Sequence, residues 1–458
     1  MINIKNDSRK VIPGDIFIAI KGATEKSFDG HDFIEDAIKN GATKIIAEHG
    51  EYSVPTLIVE NTDEYLTNYM KDNYQNILEG IKFVGITGTK GKTTTALNVH
   101  YMLKELGEKS AYIGTNGFMI DGHLVKELPN TTVDIIASYN LILEAKNEGV
   151  TTIVLEASSH ALELKRLEGI NFDVGAFTNL SRDHLDFHGT MENYLKAKEK
   201  ILYKLKPNAK IVVNVDDPNH PGFINPNAVT IGKTGRHYKF DNIVLGLGKT
   251  EIDFTYNDKK YHIETNFSGE FNVYNYIMAT AITVELGYDL DRVLELSKDI
   301  YPPKGRYETK EFNGAQIVID FAHNPASVEE IMNSTKNIKP NRIFTIIGCG
   351  GDRDRTKRPI MGNLATSNSD YVIFTNDNPR TEDEKQIMDD ILSGVTTDNY
   401  EVIHDRQKAI EKAISMLESG DILLLLGKGH ENYQIIGREN IHFDDSEEVE
   451  KAIKKYQK

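Results

Sequence analysis

Apolar runs separated by polar, Gly-rich breaks recur along the chain and predict alternating strands and helices. Within the first 78 residues, IFIAI (16–20), KIIAE (44–48) and PTLIVE (55–60) read as short strands, and HDFIEDAIKNGA (31–42) as a helix. IKFVGIT (81–87) reads as a buried strand, followed by a Gly-rich loop and a helix over TTTALNVHYMLKELG that stops at Gly107. Further apolar runs at TTIVLEA (151–157), FDVGAFTNL (172–180) and AKIVVNV (209–215), with helical patterns between several of them, imply a mostly parallel sheet. GEFNVYNYIMATAITVELG (269–287) predicts another helix, and the paired prolines of DIYPPKGRYE a linker. Beyond it, AQIVIDFAH, RIFTIIGCGG, DYVIFTNDNP and DILLLLGKGH each join a strand to a polar or small-residue loop. Ligands of open α/β sheets bind at such strand C-termini, so four loops converge on one edge.

The pattern predicts an α/β protein of three domains: a small α/β domain (1–78), a central domain with a mostly parallel sheet (79–300) and a Rossmann-like domain (301–458). The 458-residue length agrees, since one core rarely serves more than ~250–300 residues. There is no internal repeat and no low-complexity tract. The longest aliphatic run, ILLLL (422–426), is far short of the ~20 residues of a membrane span. MINIKNDSRK has no signal-peptide hydrophobic region. The single cysteine, Cys349, excludes an intrachain disulfide framework, so a cytoplasmic protein is expected. A net charge of −16 argues against a general nucleic-acid surface and leaves room for local basic pockets. No nucleic-acid partner and no membrane span are expected, and the chain is expected to be a monomer.

VGITGTKGKTTTA (84–96) has the context of a phosphate-binding loop but not the usual spelling, because Ile86 stands where the Walker A pattern places its first Gly. Backbone N–H groups and the helix N-terminus there can cradle phosphates, Lys92 can neutralise the terminal one, and Thr93 is placed for Mg²⁺. Lys90 reads as a solvated loop residue and is kept among the catalytic and nucleotide candidates. Glu156, at the end of an apolar strand before Ser158, Ser159 and His160, can hold Mg²⁺ opposite the loop, or be a plain surface carboxylate. In HGTMENYLKAKEKILYKL (188–205), Thr190 is a plausible N-cap; Tyr194, Leu195, Ala197, Ile201, Leu202 and Leu205 form one apolar arc at helical spacing. Lys198 falls inside that arc; Lys196, Lys200 and Lys204 fall outside it. A lysine on a buried face has a depressed pKa, and a neutral amine can add CO₂ to give a metal-binding carbamate; the alternative is a side chain that snorkels to water. SRDHLDFHG (181–189) supplies His184 as a metal ligand or a structural histidine. The run GGDRDRTKRP (350–359), with Arg353, Arg355, Lys357 and Arg358, suggests an anion site because it shares a sheet edge with three polar loops.

Together with DSRKVIPGDIFIAIKG, NTTVD, EASSHAL, TNLSRDHLDFHGTMENYLKAK, GEFNVYN, KGR, DFAHNP, GCGGDRDRTKRPIMG, TNDNPRTED and GKGHENYQ, the loop GITGTKGKTTT resembles the ATP-dependent Mur ligases nearly end to end, nearest to the MurE type that adds the third amino acid of the peptidoglycan stem peptide. The family spells its loop T-G-T-x-G-K-T, as in Thr87–Thr93. The resemblance implies that the first domain holds the UDP end of the substrate, with Ser8 in contact. It implies ATP at Gly88, Thr89, Lys90, Gly91, Lys92, Thr93 and Thr94, near Asn272 and Asn275, with Arg306, Asp320, His323 and Asn324 of the third domain closing over it. Thr131, Thr132, Ser158 and Arg166 would hold the muramoyl dipeptide. Of two Mg²⁺ ions, Thr93 and Glu156 would bind one, and His184 and the carbamate of Lys198 the other; Lys92, Lys90, Glu156, His184 and Lys198 form the implied catalytic set. The incoming amino acid would lie among Arg353, Asp377, Asn378, Arg380, Gly427 and Glu431.

Val133 replaces the family's usual Pro, Lys90 a common Asn and Asn324 a frequent Thr, and FDDSEE departs from the usual Arg or His before the Glu pair; none removes a catalytic group. The implied reaction transfers the ATP γ-phosphoryl group to the D-Glu side-chain carboxylate, and the amine then displaces phosphate. DNPR (377–380) is the form associated with meso-diaminopimelate, whose far carboxylate Arg380 can grip in a bidentate pair while Glu431 meets an ammonium. The alternative is Arg380 paired with Glu382. Other readings are an L-lysine-adding enzyme, an archaeal pseudomurein peptide ligase, a folylpolyglutamate-synthase-like ligase, and a non-catalytic nucleotide-binding scaffold.

Overall fold

The computed structural model describes residues 2–22, 28–246 and 248–457. The chain divides into two compact units, one of residues 1–238 with 277–293 and one of residues 239–276 with 294–458.

In the first unit, strands Ile4–Lys5, Ile16–Ile18, Lys44–Ala47 and Thr56–Ile58 form a four-stranded parallel sheet in that order. Phe17 and Ile45 pack on one face with Ile34 and Ala37, while Ile18 and Ile46 pack on the other with Leu66 and Met70. Burial on both faces explains why Ile16–Ile18 and Lys44–Ala47 read as apolar runs. The helix foreseen over 31–42 is a 3-10 turn, Gly30–Phe33, leading into Ile34–Lys39. Leu66 and Met70 belong to a long helix, Thr62–Leu78, capped by Asn61, which the apolar pattern did not reveal.

The larger sheet of this unit runs Ala228–Gly232, Leu205–Asn214, Phe172–Phe177, Lys82–Thr87, Thr152–Glu156, Ser110–Gly114, all parallel. An antiparallel extension, Gly117–Ile120 and His123–Lys126, follows, which the sequence pattern did not predict. Lys82–Thr87 is central, with later strands added on both sides of it. The loop after it therefore opens where the connections diverge, the usual ligand crevice of such sheets.

In the second unit, Thr250–Tyr256 and Lys259–Thr265 form an antiparallel hairpin, with the strand Tyr238–Leu245 next to Thr250–Tyr256 in the sheet. Its tight turn at Asn257 and Asp258, with φ of 49° and 63°, is the left-handed pair a two-residue hairpin needs. A six-stranded sheet follows in the order Glu308–Phe312, Ala315–Asp320, Ile422–Leu426, Ile343–Ile347, Tyr371–Phe374, Tyr400–Val402, antiparallel only at its first pair. Leu423 and Leu425 enter the core on one face and Leu424 and Leu426 the core on the other, so ILLLL is a strand covered on both sides.

Candidate active site

Two glycines shape the phosphate loop. Gly88 has φ +149°, and a Cβ there would lie 1.8 Å from the Thr178 hydroxyl; Gly91, at φ 81°, opens the helix Lys92–Glu105 without a side-chain cap. The end of the Phe172–Phe177 strand ties the loop down. Thr178 Oγ1 donates to Lys90 O (2.6 Å), Asn179 Oδ1 accepts from Lys90 N (3.0 Å), Asn179 Nδ2 donates to Lys90 O (3.1 Å), and Thr89 N donates to Asn179 O (2.8 Å). Lys92 Nζ folds back to donate to Gly88 O (3.0 Å) and Thr89 O (2.9 Å). The buried hydroxyls of Thr87 and Ser181 have no hydrogen-bond partner among the described residues. Such unused donors beside a helix N-terminus fit a phosphate chain.

Glu156 is fully buried where its strand ends. Its Oε1 accepts from Tyr112 OH (2.5 Å) and Thr115 N (2.9 Å), and its Oε2 from Thr93 Oγ1 (3.0 Å) and Thr115 Oγ1 (3.2 Å). Thr132 donates to Glu156 O (2.7 Å), lies 3.1 Å from Ser158 Oγ, and accepts Arg166 Nη1 at its carbonyl (2.8 Å); Thr131 Oγ1 lies 3.0 Å from Thr115 Oγ1. The structure thus gathers Thr93, Thr131, Thr132, Glu156, Ser158 and Arg166 into one network. Tyr112 and Thr115 belong to it too. They sit on a β-hairpin with no motif, so nothing in the sequence singled them out.

Thr190 caps the helix Met191–Glu199 by accepting from Asn193 N (3.2 Å). Tyr194, Ala197 and Lys198 face inward, with Lys198 only 1% exposed. Its Nζ donates to Gly88 O (2.6 Å) and lies 4.3 Å from the Tyr194 ring centroid. Burial, reinforced by the charge of Lys92, holds this amine well below the ordinary lysine range. Lys204 is a correction: it is buried and pairs with Glu168 at 2.8 Å. The chain tightens into a 3-10 turn over Lys200–Lys204, and the change from 3.6 to three residues per turn swings Lys204 inward. His184 adopts a left-handed backbone, φ 52°, with its ring 4.8 Å from that of His160. Burial lowers its pKa, Asp183 opposes that, and Lys92 and Lys198 reinforce it.

Among the described residues no three His, Cys, Asp or Glu side chains converge as a preformed metal cage. The oxygen set of Thr93 and Glu156 nonetheless suits Mg²⁺, which keeps most of its shell as water and substrate phosphate.

In the second unit, Asn272 donates to Ser268 O (3.0 Å) and Asn275 to Asn272 Oδ1 (3.3 Å). Asp320 accepts from Tyr307 N (2.7 Å) and Ala322 N (2.8 Å), and burial pushes its carboxyl up to about 6. Arg306 lies over the Phe321 ring at 4.9 Å, and its buried Nε has no partner among the described residues. Asn324 caps the helix Pro325–Asn337, and His323 sits 2.8 Å from Phe321 O.

The amino-acid candidates gather around Gly350, where an added Cβ would meet Arg380 Nη1 (2.9 Å), Arg353 Cγ (3.7 Å) and Asn378 O (3.9 Å). Arg380 has φ 53°, a conformation pinned by its N–H to Ile435 O (3.0 Å) and its carbonyl from Gly437 N (2.7 Å). Its Nη1 donates to Gly351 O (2.9 Å). Asn378 Nδ2 donates to Glu431 Oε2 (2.8 Å), and the buried Lys428, which sequence reasoning passed over, reaches Asn378 Oδ1 (3.2 Å) and Glu431 (3.4 Å). Burial first, then Asp377, raises the Glu431 pKa. A Cβ at Gly427 would lie 2.7 Å from Asp377 Oδ2. The basic run is corrected. Arg358 is fully buried on Glu382 and Asp390, Arg355 pairs with Asp390, and Lys357 donates to His323 O; among its arginines only Arg353 pairs with no carboxylate among the described residues. Ser8 is buried in the small sheet module, and its carbonyl accepts from Asn40 Nδ2 (2.9 Å).

A Gly-rich loop at a helix N-terminus, a threonine–carboxylate pair beside it and a second α/β unit fit the class of nucleotide-using enzymes, and comparison with known proteins makes the chain an ATP-dependent ligase. Three family models match: the Mur ligase family catalytic domain over residues 2–78, the Mur ligase middle domain over 86–283, and the Mur ligase glutamate ligase domain over 305–429. A UDP-N-acetylmuramoyl-L-alanyl-D-glutamate–2,6-diaminopimelate ligase of Bacillus cereus is 38% identical over 98% of this chain and 94% of its own. A Clostridium acetobutylicum ligase of the same description is 36% identical over 99% and 94%. A solved structure of such a ligase matches with TM-score 0.71 and 32% identity, covering 100% of this chain and 96% of that one. The chain belongs to the Mur ligase family.

Proposed function

We propose that the chain uses ATP to join the D-Glu side-chain carboxylate of UDP-N-acetylmuramoyl-L-Ala-D-Glu to an amine of meso-diaminopimelate, in the synthesis of peptidoglycan precursors. The observation that carries the choice of amino acid is the state of Arg380. Its nearest acidic neighbour in sequence, Glu382, is held by Arg358, and no carboxylate pairs with Arg380 among the described residues. An Arg anchored only by carbonyls is matched by a ligand carboxylate, which diaminopimelate has at its far end and lysine lacks. The relatives described above, named as diaminopimelate ligases, support the same reading.

In this reading the loop N–H groups and Lys92 would hold the ATP phosphates, and Thr93 and Glu156 would hold Mg²⁺, whose charge would offset the repulsion between the two anions. Lys198 as a carbamate, with His184, would hold a second ion. A neutral amine is the form that reacts with CO₂, and the burial of Lys198 favours that form. Thr131, Thr132, Ser158 and Arg166 would orient the dipeptide. The carboxylate is thereby positioned for phosphorylation, and the amine displaces phosphate from the acyl phosphate. Ser8 as a contact to the UDP end, the division at 1–78, 79–300 and 301–458, a monomeric state and a cytoplasmic location belong to the same proposal.

The test is ligation followed by mass spectrometry, with the UDP-dipeptide, ATP and a panel of amino acids. A product one diaminopimelate residue heavier, with phosphate released only when both substrates are present, is expected. A lysine adduct, a folate-dependent product or no phosphate release would each overturn it.

A further inference from the structure

We propose that Arg358 is a positioning residue for amino-acid selection: it holds Glu382 away from Arg380, so that the Arg380 guanidinium is kept for a ligand carboxylate. This rests on the reading of Arg380 given above.

Arg380 and Glu382 are two residues apart, and a guanidinium and a carboxylate within reach of each other can form a bidentate pair. They do not. Arg380 Nη1 donates to Gly351 O (2.9 Å), while Glu382 Oε2 accepts from Asp352 N (2.9 Å). These are the two ends of one peptide unit, and in a trans peptide its C=O and N–H point to opposite sides. What keeps Glu382 on the far side is Arg358, whose side chain is fully buried. Nη1 and Nη2 each donate to Glu382 at 2.7 Å; Nη1 also donates to Asp390 (2.8 Å), and Nη2 to Gly350 O (3.1 Å). Arg355 completes the set on Asp390 Oδ2 at 2.9 Å. Two cations and two carboxylates close on each other. The remaining nearby carboxylate, Asp352, accepts from Thr381 N (3.1 Å) and Thr381 Oγ1 (2.9 Å). Arg380, like Arg353 beside it, is left without a carboxylate partner among the described residues. Lysine could not reproduce this, since a point charge does not hold both oxygens of Glu382 and reach Asp390 and Gly350 O in one plane.

The test is a double-substitution cycle read as separate kcat and KM values. Arg358→Met frees Glu382 to capture Arg380, so KM for meso-diaminopimelate is expected to rise about tenfold or more while KM for ATP stays within about twofold. Adding Glu382→Gln, which keeps an acceptor for Asp352 N but removes the charge, should bring KM back to within about threefold of wild type. Glu382→Gln alone should stay near wild type. If Arg358→Met is poorly folded, Arg358→Lys keeps the buried charge without the fork and should show the same KM rise and the same rescue, smaller in size. A double variant no better than Arg358→Met, or KM for ATP rising in parallel, marks a scaffold role only and overturns the proposal. Wild type preferring lysine overturns the reading of Arg380 and this inference with it; wild type preferring diaminopimelate without rescue overturns this inference alone.

Discussion

Lys92 and Lys198 donate to the same oxygen, the Gly88 carbonyl, at 3.0 and 2.6 Å. Two ammonium groups on one buried acceptor repel each other and are poorly solvated. The structure resolves the conflict at Lys198, which burial and the charge of Lys92 together drive toward the neutral amine.

The carbamate proposal follows from that pair. A carbamate forms on the folded protein, so bicarbonate should raise the Tm of wild type and leave that of Lys198→Ala unmoved. Lys198→Ala should lose nearly all ligation while still binding ATP, and a short carboxylic acid should restore part of it. Equal Tm shifts in both proteins, or full activity of the variant, would count against the carbamate.

Glu156 and Lys92 should separate in stability while agreeing in activity. Glu156 gathers Tyr112, Thr115 and Thr93 in a fully buried site, so Glu156→Ala strands several donors and should cost about 1–3 kcal/mol. Lys92 is half-buried and its ammonium donates to the loop carbonyls of Gly88 and Thr89, so Lys92→Ala should shift Tm less than Glu156→Ala. Both should abolish phosphate release, as should Glu156→Gln. Normal turnover by any of the three would remove the phosphate and metal roles.

Acid sensitivity should trace to the Arg358 network. Hydrogen bonds from Arg358 hold Glu382 at about 2, below its ordinary 4.5, and those from Arg355 hold Asp390 at about 2, below 3.8. A depressed carboxylate contributes stability that is complete above its unfolded pKa and lost as pH falls through its folded one. Wild type should therefore lose stability between about pH 4.5 and 2, on the order of 3 kcal/mol from Glu382. Urea unfolding across that window should show a flatter profile for Glu382→Gln. Identical slopes would mean that the network contributes nothing to folding.

The strands that carry the site were legible because both of their faces are buried. IKFVGIT, TTIVLEA and ILLLL each carry an apolar run, and candidate site residues come at or directly after its end. The hairpins at 117–126 and 238–265 were not, since one face of each meets water and the charged positions dilute the signal; His123–Lys126 is exposed throughout. The helix Thr62–Leu78 hides for the same reason, with a buried stripe of Leu66, Met70, Ile77 and Leu78 among polar residues. Lys198 could be placed by 3.6-residue spacing, whereas Lys204 could not, because spacing does not announce a change of helical pitch. Nor could sequence reveal that Arg358 meets Glu382 and Asp390, because ion-pair partners are chosen by the packing of distant loops.

The most direct test of the account compares specificity constants for meso-diaminopimelate and L-lysine in wild type and Arg380→Ala. An Arg left facing no carboxylate should penalise lysine by about 2–5 kcal/mol, roughly 30- to several thousand-fold, and Arg380→Ala should remove most of that preference. Wild type favouring lysine, or Arg380→Ala keeping the full preference for diaminopimelate, would contradict it.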